Sequence, residues 1–182
     1  RVEPLTPADG IGGTKHFSRR TTVSLAGFST GRIAGCNMAI RRSAIARVGW
    51  FDVDLGAGAL GGTEDADYLY RVLRRRLKAL LAPKVVVYHG HGRTAEQLRR
   101  TERAYYRGSG GFYAKHLLAG DRSVARRIYW DLRGLAGEAW QRARLGQLPI
   151  EQAAAVWAML SGAVVMVCRR GLRPRAHPAA ER

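Results

Sequence analysis

Two adjacent carboxylates, Glu64 and Asp65, sit where a glycine-rich stretch gives way to a helical pattern, and Asp67 follows two residues on. A carboxylate in the first turn of a helix is favoured as the anion by the helix dipole. Beside a glycine loop able to close over a substrate, such a group can take a proton from a hydroxyl as a general base. Capping of the helix start is the plainer use of the same pair. Neighbouring helical residues do not share a face, so Glu64 and Asp65 cannot both point into one site equally. Asp67 is expected to be exposed, or to pair locally with Arg71.

Other candidates lie on either side. His89 and His91 flank Gly90 after an apolar run. Neutral imidazole suits Mn2+ and, less well, the harder Mg2+; hydrogen bonding to loop backbone is the alternative. Gly35 admits close approach of a ligand to the backbone. Asn37 can donate and accept toward hydroxyls, or close a strand end. Arg41 and Arg42 can grip a diphosphate as guanidinium forks, or stand as solvated charge. Cys36 reads as a small core residue.

The elements that must position these residues follow from local pattern. Residues 1–30 read as loop, with an extended piece near 22–28. The Gly-interrupted apolar run 32–40 reads as a buried strand. Ser43 is expected to cap a short helix to about Val48, ended by Gly49. A loop with Gly56, Gly58, Gly61 and Gly62 leads to Thr63, the expected cap of a helix running to about Leu80. Tyr68, Val72, Leu73 and Leu77 make its apolar face. Val85, Val86, Val87 and Tyr88 form a β-branched run that predicts a buried strand. From Thr94 the pattern is helix after helix. The apolar run 153–168 is about 16 residues, shorter than the roughly 20 of a spanning helix. It is flanked by Arg169 and Arg170 and suits an interfacial or packed helix. The tail from Pro174 reads as disordered.

Charge narrows the partners. The 182 residues hold 31 Lys and Arg against 14 Asp and Glu, a net charge of +17. Such an excess favours nucleic acid, an anionic membrane or a phosphorylated substrate. No zinc-finger spacing or RNA-binding motif supports nucleic acid. Arg, Tyr and Trp interleave at Arg99, Arg103, Tyr105, Tyr106, Arg126, Tyr129 and Trp130, a mixture suited to a headgroup layer. The two cysteines, Cys36 and Cys168, form neither a disulfide framework nor a metal motif, so a reducing compartment is expected. The chain begins Arg1-Val2-Glu3-Pro4, without Met or an apolar leader, and reads as the later part of something longer.

Three islands in order carry a resemblance. They are Gly35-Cys36-Asn37-Met38-Ala39-Ile40-Arg41-Arg42, then Gly49-Trp50-Phe51-Asp52 with the glycine loop into Thr63-Glu64-Asp65-Ala66-Asp67, then Tyr88-His89-Gly90-His91. The set resembles the acceptor half of family 2 glycosyltransferases of GT-A fold. The resemblance implies an α/β, partial GT-A-like (Rossmann-like) domain over 1–93, a helical, membrane-associated extension over 94–173, and a tail over 174–182. It implies inverting transfer of a sugar from a nucleotide-sugar donor to a sugar or lipid-linked hydroxyl acceptor, in cell-envelope or polysaccharide synthesis at the cytoplasmic face of the membrane.

By the same resemblance Asp65 is the base and Glu64 its orienting or acceptor-contacting neighbour. Gly35, Asn37, Arg41, Arg42 and Asp67 bind substrate, and His89 helps hold a divalent metal, Mn2+ or Mg2+, on the diphosphate. The family's metal-binding D-x-D motif has no match upstream of the islands, where the nucleotide-binding half would lie. Asp52-Val53-Asp54 has its letters but falls in the F-D-x-x-L turn, which is structural. The rival class is a basic non-catalytic module binding a membrane or nucleic acid.

Overall fold

The structure, a computed structural model, describes residues 2–4, 18–28, 30, 35–89 and 94–171. Among them are four strands of three residues each, β1 (Val2–Pro4), β2 (Thr21–Val23), β3 (Ala79–Leu81) and β4 (Val87–His89). Five α-helices complete the order: α1 (Arg42–Val48) and α2 (Glu64–Arg74) before β3, then α3 (Ala95–Leu118), α4 (Val124–Arg144) and α5 (Ile150–Gly171) after β4.

The expected α/β, GT-A-like domain is not the fold found: the described chain is mostly helical. The β-branched run leads into β4, which is exposed at Tyr88 rather than buried, and its partner among the described residues is β1, in parallel register with Val2 opposite Val87 and Pro4 opposite His89. Separately, β2 and β3 pair antiparallel, Thr21 opposite Leu81 and Val23 opposite Ala79. Two-stranded ladders of this length cannot form a layer of their own. The run 32–40 adds no strand among its described residues, which hold a single 3-10 turn at Gly35–Asn37 and irregular chain after it.

Helices supply the core instead. The buried face of α2 carries Ala66, Leu69, Tyr70 and Leu73 and packs on Phe28, Leu81 and the α3 residues Phe112 and Tyr113. Phe112 meets Tyr70 edge-on at 5.3 Å between ring centres, and Phe28 lies 5.1 Å from Tyr70. The Tyr70 hydroxyl donates to Asp121 at 2.7 Å and lies 2.8 Å from Ser123 Oγ. Burial, with help from the Asp121 charge, pushes that phenol up to about 12.

Helix α2 ends at Arg74, short of the expected Leu80. Arg76 turns left-handed (φ 55°), Leu77 N–H donates to Val72 O at 3.1 Å and Arg76 N–H to Leu73 O at 3.0 Å. This pair of bonds is the Schellman ending, here with Arg where glycine is usual. Helices α3 and α4 end the same way, with Gly120 and Gly146 in the left-handed position. The α1 helix ends at Gly49 as expected, its N–H donating to Ile45 O at 2.7 Å. Its start is Arg41, not Ser43, with no side-chain cap. Helix α3 starts as a full capping box, Thr94 and Gln97 each bonding the other's backbone N–H.

The long helices α3 and α5 meet through glycine. A Cβ added at Gly110 would overlap the carbonyl oxygen of Met159, and one at Gly162 the carbonyl oxygen of Arg107. Only hydrogen fits at either crossing point. The apolar run therefore belongs to a 22-residue helix, about 33 Å long at the α-helical rise. By length and composition it can associate with a membrane.

Candidate functional site

The first two islands meet around the start of α2. The backbone N–H of Gly35 donates to Asp65 Oδ2 at 2.8 Å, and the Ala66 N–H donates to Asp65 Oδ1 at 2.7 Å. Each carboxylate oxygen keeps a second lone pair. The close neighbour of Gly35 is protein: a Cβ there would stand 3.4 Å from the Cβ of Asp65, in ordinary contact. Asn37 Nδ2 donates to Val85 O at 3.2 Å, which ties the first island to the segment entering β4. Cys36 between them is exposed rather than a core residue.

Arg71 binds the second island. Its fork donates to Val48 O at 2.7 Å and to Trp50 O at 2.8 Å, while Nε donates to Asp67 at 2.8 Å. Phe51 then stacks on Tyr68, ring centres 4.7 Å apart. Asp52 accepts from the Asp54 backbone N–H at 3.0 Å, closing the turn expected to be structural.

Glu64 and Tyr68 lie four residues apart on one face of α2. Among the described residues neither Glu64 Oε2 nor the Tyr68 hydroxyl has a hydrogen-bond partner, although both atoms are covered. The Glu64 carboxylate abuts the glycine loop, 3.2 Å from where a Cβ of Gly56 would be. Thr63 precedes α2 but does not cap it by side chain. Its φ is 75° and its hydroxyl donates to Gly62 O.

The glycine loop is fastened rather than open. Gly61 N–H donates to Gly56 O at 2.8 Å, and Gly56 N–H to Gly62 O at 3.3 Å. Gly61 and Gly62 have positive φ, and their added Cβ atoms would fall 2.8 Å from Ala104 and 2.6 Å from Tyr105. The glycines thus let the loop lie directly on α3.

Asp67 departs furthest from expectation. It does pair with Arg71, but it is fully buried rather than exposed. Its Oδ1 accepts from Lys115 Nζ at 2.6 Å and from His116 Nε2 at 2.9 Å. Burial opposes the charge, yet His116, Lys115 and Arg71 outweigh it and hold the carboxyl well below the usual range. Asp67 is thus a structural hub between α2 and α3. Lys115 continues the chain of charges to Asp52 Oδ2 at 2.7 Å, and Arg170 of α5 reaches that same oxygen at 2.6 Å. Burial works against the Asp52 charge as well, yet Lys115, the Asp54 N–H and Arg170 hold its carboxyl below the ordinary range.

Lys115, His116 and Arg170 are not among the residues the sequence singles out. The signal available is a Lys-His pair closing the run Gly108-Ser109-Gly110-Gly111-Phe112-Tyr113-Ala114. That run is wholly buried, and a charge adjoining it calls for a partner.

Arg41 and Arg42 stand exposed at the start of α1, with no ion pair among the described residues. His89 closes β4; its side chain and all of His91 lie outside the described residues. Among the described residues no three His, Cys, Asp or Glu side chains come together. Set beside protein-family models, curated proteins and solved structures, the chain matches none of them.

Proposed function

We propose that this chain carries the acceptor-side chemistry of a glycosyltransferase that moves a sugar from a nucleotide-sugar donor to a hydroxyl acceptor with inversion. The observation that supports it is the Gly35–Asp65 bond. It joins two islands thirty positions apart, Arg71 adds the Trp50 end of the second, and Asn37 reaches Val85 in the segment that leads to the third. The reading rests on this convergence of motif residues and not on a GT-A sheet.

In this proposal the acceptor O–H gives its proton to a free lone pair of Asp65 as its oxygen attacks the anomeric carbon. The bond from that carbon to the diphosphate breaks, and the nucleoside diphosphate leaves with the electron pair. The Gly35 and Ala66 N–H groups hold the carboxylate in one orientation, which is what positioning of a base requires. Glu64, the neighbour of Asp65, orients the acceptor. Arg41 and Arg42 face the donor's phosphates. A divalent cation, with His89 as one ligand, would offset the charge of the leaving group; no step above is routed through it.

The finer placement, at the cytoplasmic face of a membrane with a sugar or lipid-linked acceptor, belongs to the same proposal and draws on α5 and the excess of Arg. The test is transfer of label from a panel of nucleotide sugars to lipid and polysaccharide acceptors. It uses the longest polypeptide the gene encodes, and NMR reads the anomeric configuration of the product. Transfer with inversion, lost in Asp65→Asn, supports the reading. Transfer unchanged in Asp65→Asn overturns Asp65 as the base, and no transfer with any donor leaves the rival basic non-catalytic module.

A further inference from the structure

Helices α3 and α5 enclose a groove of about 460 Å3 whose two walls differ in kind. Arg100, Arg103 and Arg107 recur at helical spacing along the α3 wall, while Trp157 and Ser161 stand on the α5 wall and Leu60 of the glycine loop reaches the floor. No Asp or Glu lines it. Among the described residues Arg103 and Arg107 form no ion pair, and Arg100 meets only the exposed Glu96 at 2.5 Å. The adjoining groove, which shares Arg103, contains Glu102, Glu138 and Glu151 and offers an anion no such place.

The apolar wall does not stop at the groove. Ile150, Trp157, Leu160, Val164 and Val167 are all exposed on the outer side of α5, opposite the Gly162 face that packs on α3. The sequence from Ala153 to Cys168 contains no charge. A seam that joined helices in water would carry charged flanks beside its apolar positions. Here the flanks are apolar or small, which suits hydrocarbon. Trp157 belongs to both surfaces and is 73% exposed, and Trp prefers the boundary between headgroups and acyl chains.

We infer that this groove seats the phosphate headgroup of an anionic membrane lipid, with an acyl chain running along the outer face of α5. Guanidinium forks match phosphate geometry, and the net charge of +17 draws the chain to such a surface. The inference rests on the membrane placement proposed above and is independent of glycosyl transfer.

The experiment is co-sedimentation of the full chain with vesicles of phosphatidylcholine, with and without phosphatidylglycerol. The wild type should bind the anionic vesicles. Arg103→Gln with Arg107→Gln should lower the partition coefficient ~10-fold or more, as expected for cations held at headgroup level. Arg126→Gln with Arg133→Gln, the same charge removed from exposed positions of α4, should lower it ~3-fold or less, the scale of diffuse screened attraction. Equal losses in the two pairs would overturn the groove while leaving membrane placement intact. Full competition by soluble glycerol phosphate would also overturn it, since the site would then read free phosphate and not a lipid. Trp157→Ser with Leu160→Ser should release the chain from the anionic vesicles, and retained binding would overturn the acyl-chain contact along α5. A wild type that binds neither vesicle overturns the membrane placement itself, whatever the transfer assay gives. Circular dichroism melts of each exposed-site variant, expected to match the wild type, keep loss of binding apart from loss of fold.

Discussion

Lys115 Nζ lies 2.6 Å from Asp67 Oδ1 and 2.7 Å from Asp52 Oδ2, so one buried ammonium joins α3 to the start of α2 and to the turn before the glycine loop. Removing one partner of a buried pair leaves an uncompensated charge. Lys115→Met should therefore destabilise the fold by about 3–5 kcal/mol in urea unfolding. Glu96→Gln breaks the exposed pair with Arg100 and should change stability by less than about 0.5 kcal/mol. Similar small effects for both would mean that the buried network contributes nothing.

The same network sets an acid limit. Asp67, Asp52 and Asp121 all have folded values below the ordinary carboxylate range. The unfolded chain then binds more protons as pH falls through that range. The stabilisation is complete above about pH 5, begins to fall near pH 4, and goes as pH drops through the folded values. Thermal melts from neutral to acid pH should show a flat region and then a fall. In Asp67→Asn the fall should be shallower, from a lower plateau.

Gly162 and Gly110 set the spacing of α3 and α5. Ala at either position presses a methyl group into a facing carbonyl and should cost about 1–3 kcal/mol. Gly134 and Gly137, on α4, have open space where a Cβ would go. Ala at those two should instead raise stability by about 0.5–1 kcal/mol each, from helix propensity alone. Opposite signs in the melting temperatures of the two sets test the crossing directly.

Arg76 occupies the left-handed position that Gly120 and Gly146 fill in α3 and α4. An L side chain there costs about 1–2 kcal/mol against the right-handed form. Arg76→Gly should accordingly raise stability by about 1 kcal/mol after glycine's own entropy is set against it. An unchanged or lower unfolding midpoint would show that Arg76 has a compensating role.

For the proposed chemistry, Asp65→Asn keeps the Gly35 N–H bond possible but removes the basic oxygen. Turnover should fall ~100-fold or more, the scale of a lost general base, with folding unchanged. Glu64→Gln should cost less, because Glu64 orients and does not take the proton. Asp67→Asn should act through stability alone, visible as a lowered melting temperature with per-molecule turnover kept. Steady-state rates read beside thermal melts separate the three.

What the sequence determined by itself is local. A capping residue at Thr94, a glycine at Gly49 and the carboxylates beginning α2 are short-range signals, and each marks an element boundary found in the structure. The three islands were equally legible as motifs, because spacing along the chain is all a motif needs. The fold class was decided in three dimensions. The run ending in β4 has the composition of a buried strand, but a strand becomes a sheet only through partners far along the chain, and here the described partner is β1 alone. The end of α2 at Arg74 escaped the usual signal because Arg76, not glycine, takes the left-handed position after it. Asp67 shows the clearest division. Its sequence neighbours offered Arg71 four residues away, whereas its burial depends on Lys115 and His116, 48 and 49 positions later. Charge pairing inside a core depends on distance through space, and Gly61, Gly62 and Gly108 let α3 lie directly on the loop that leads into α2.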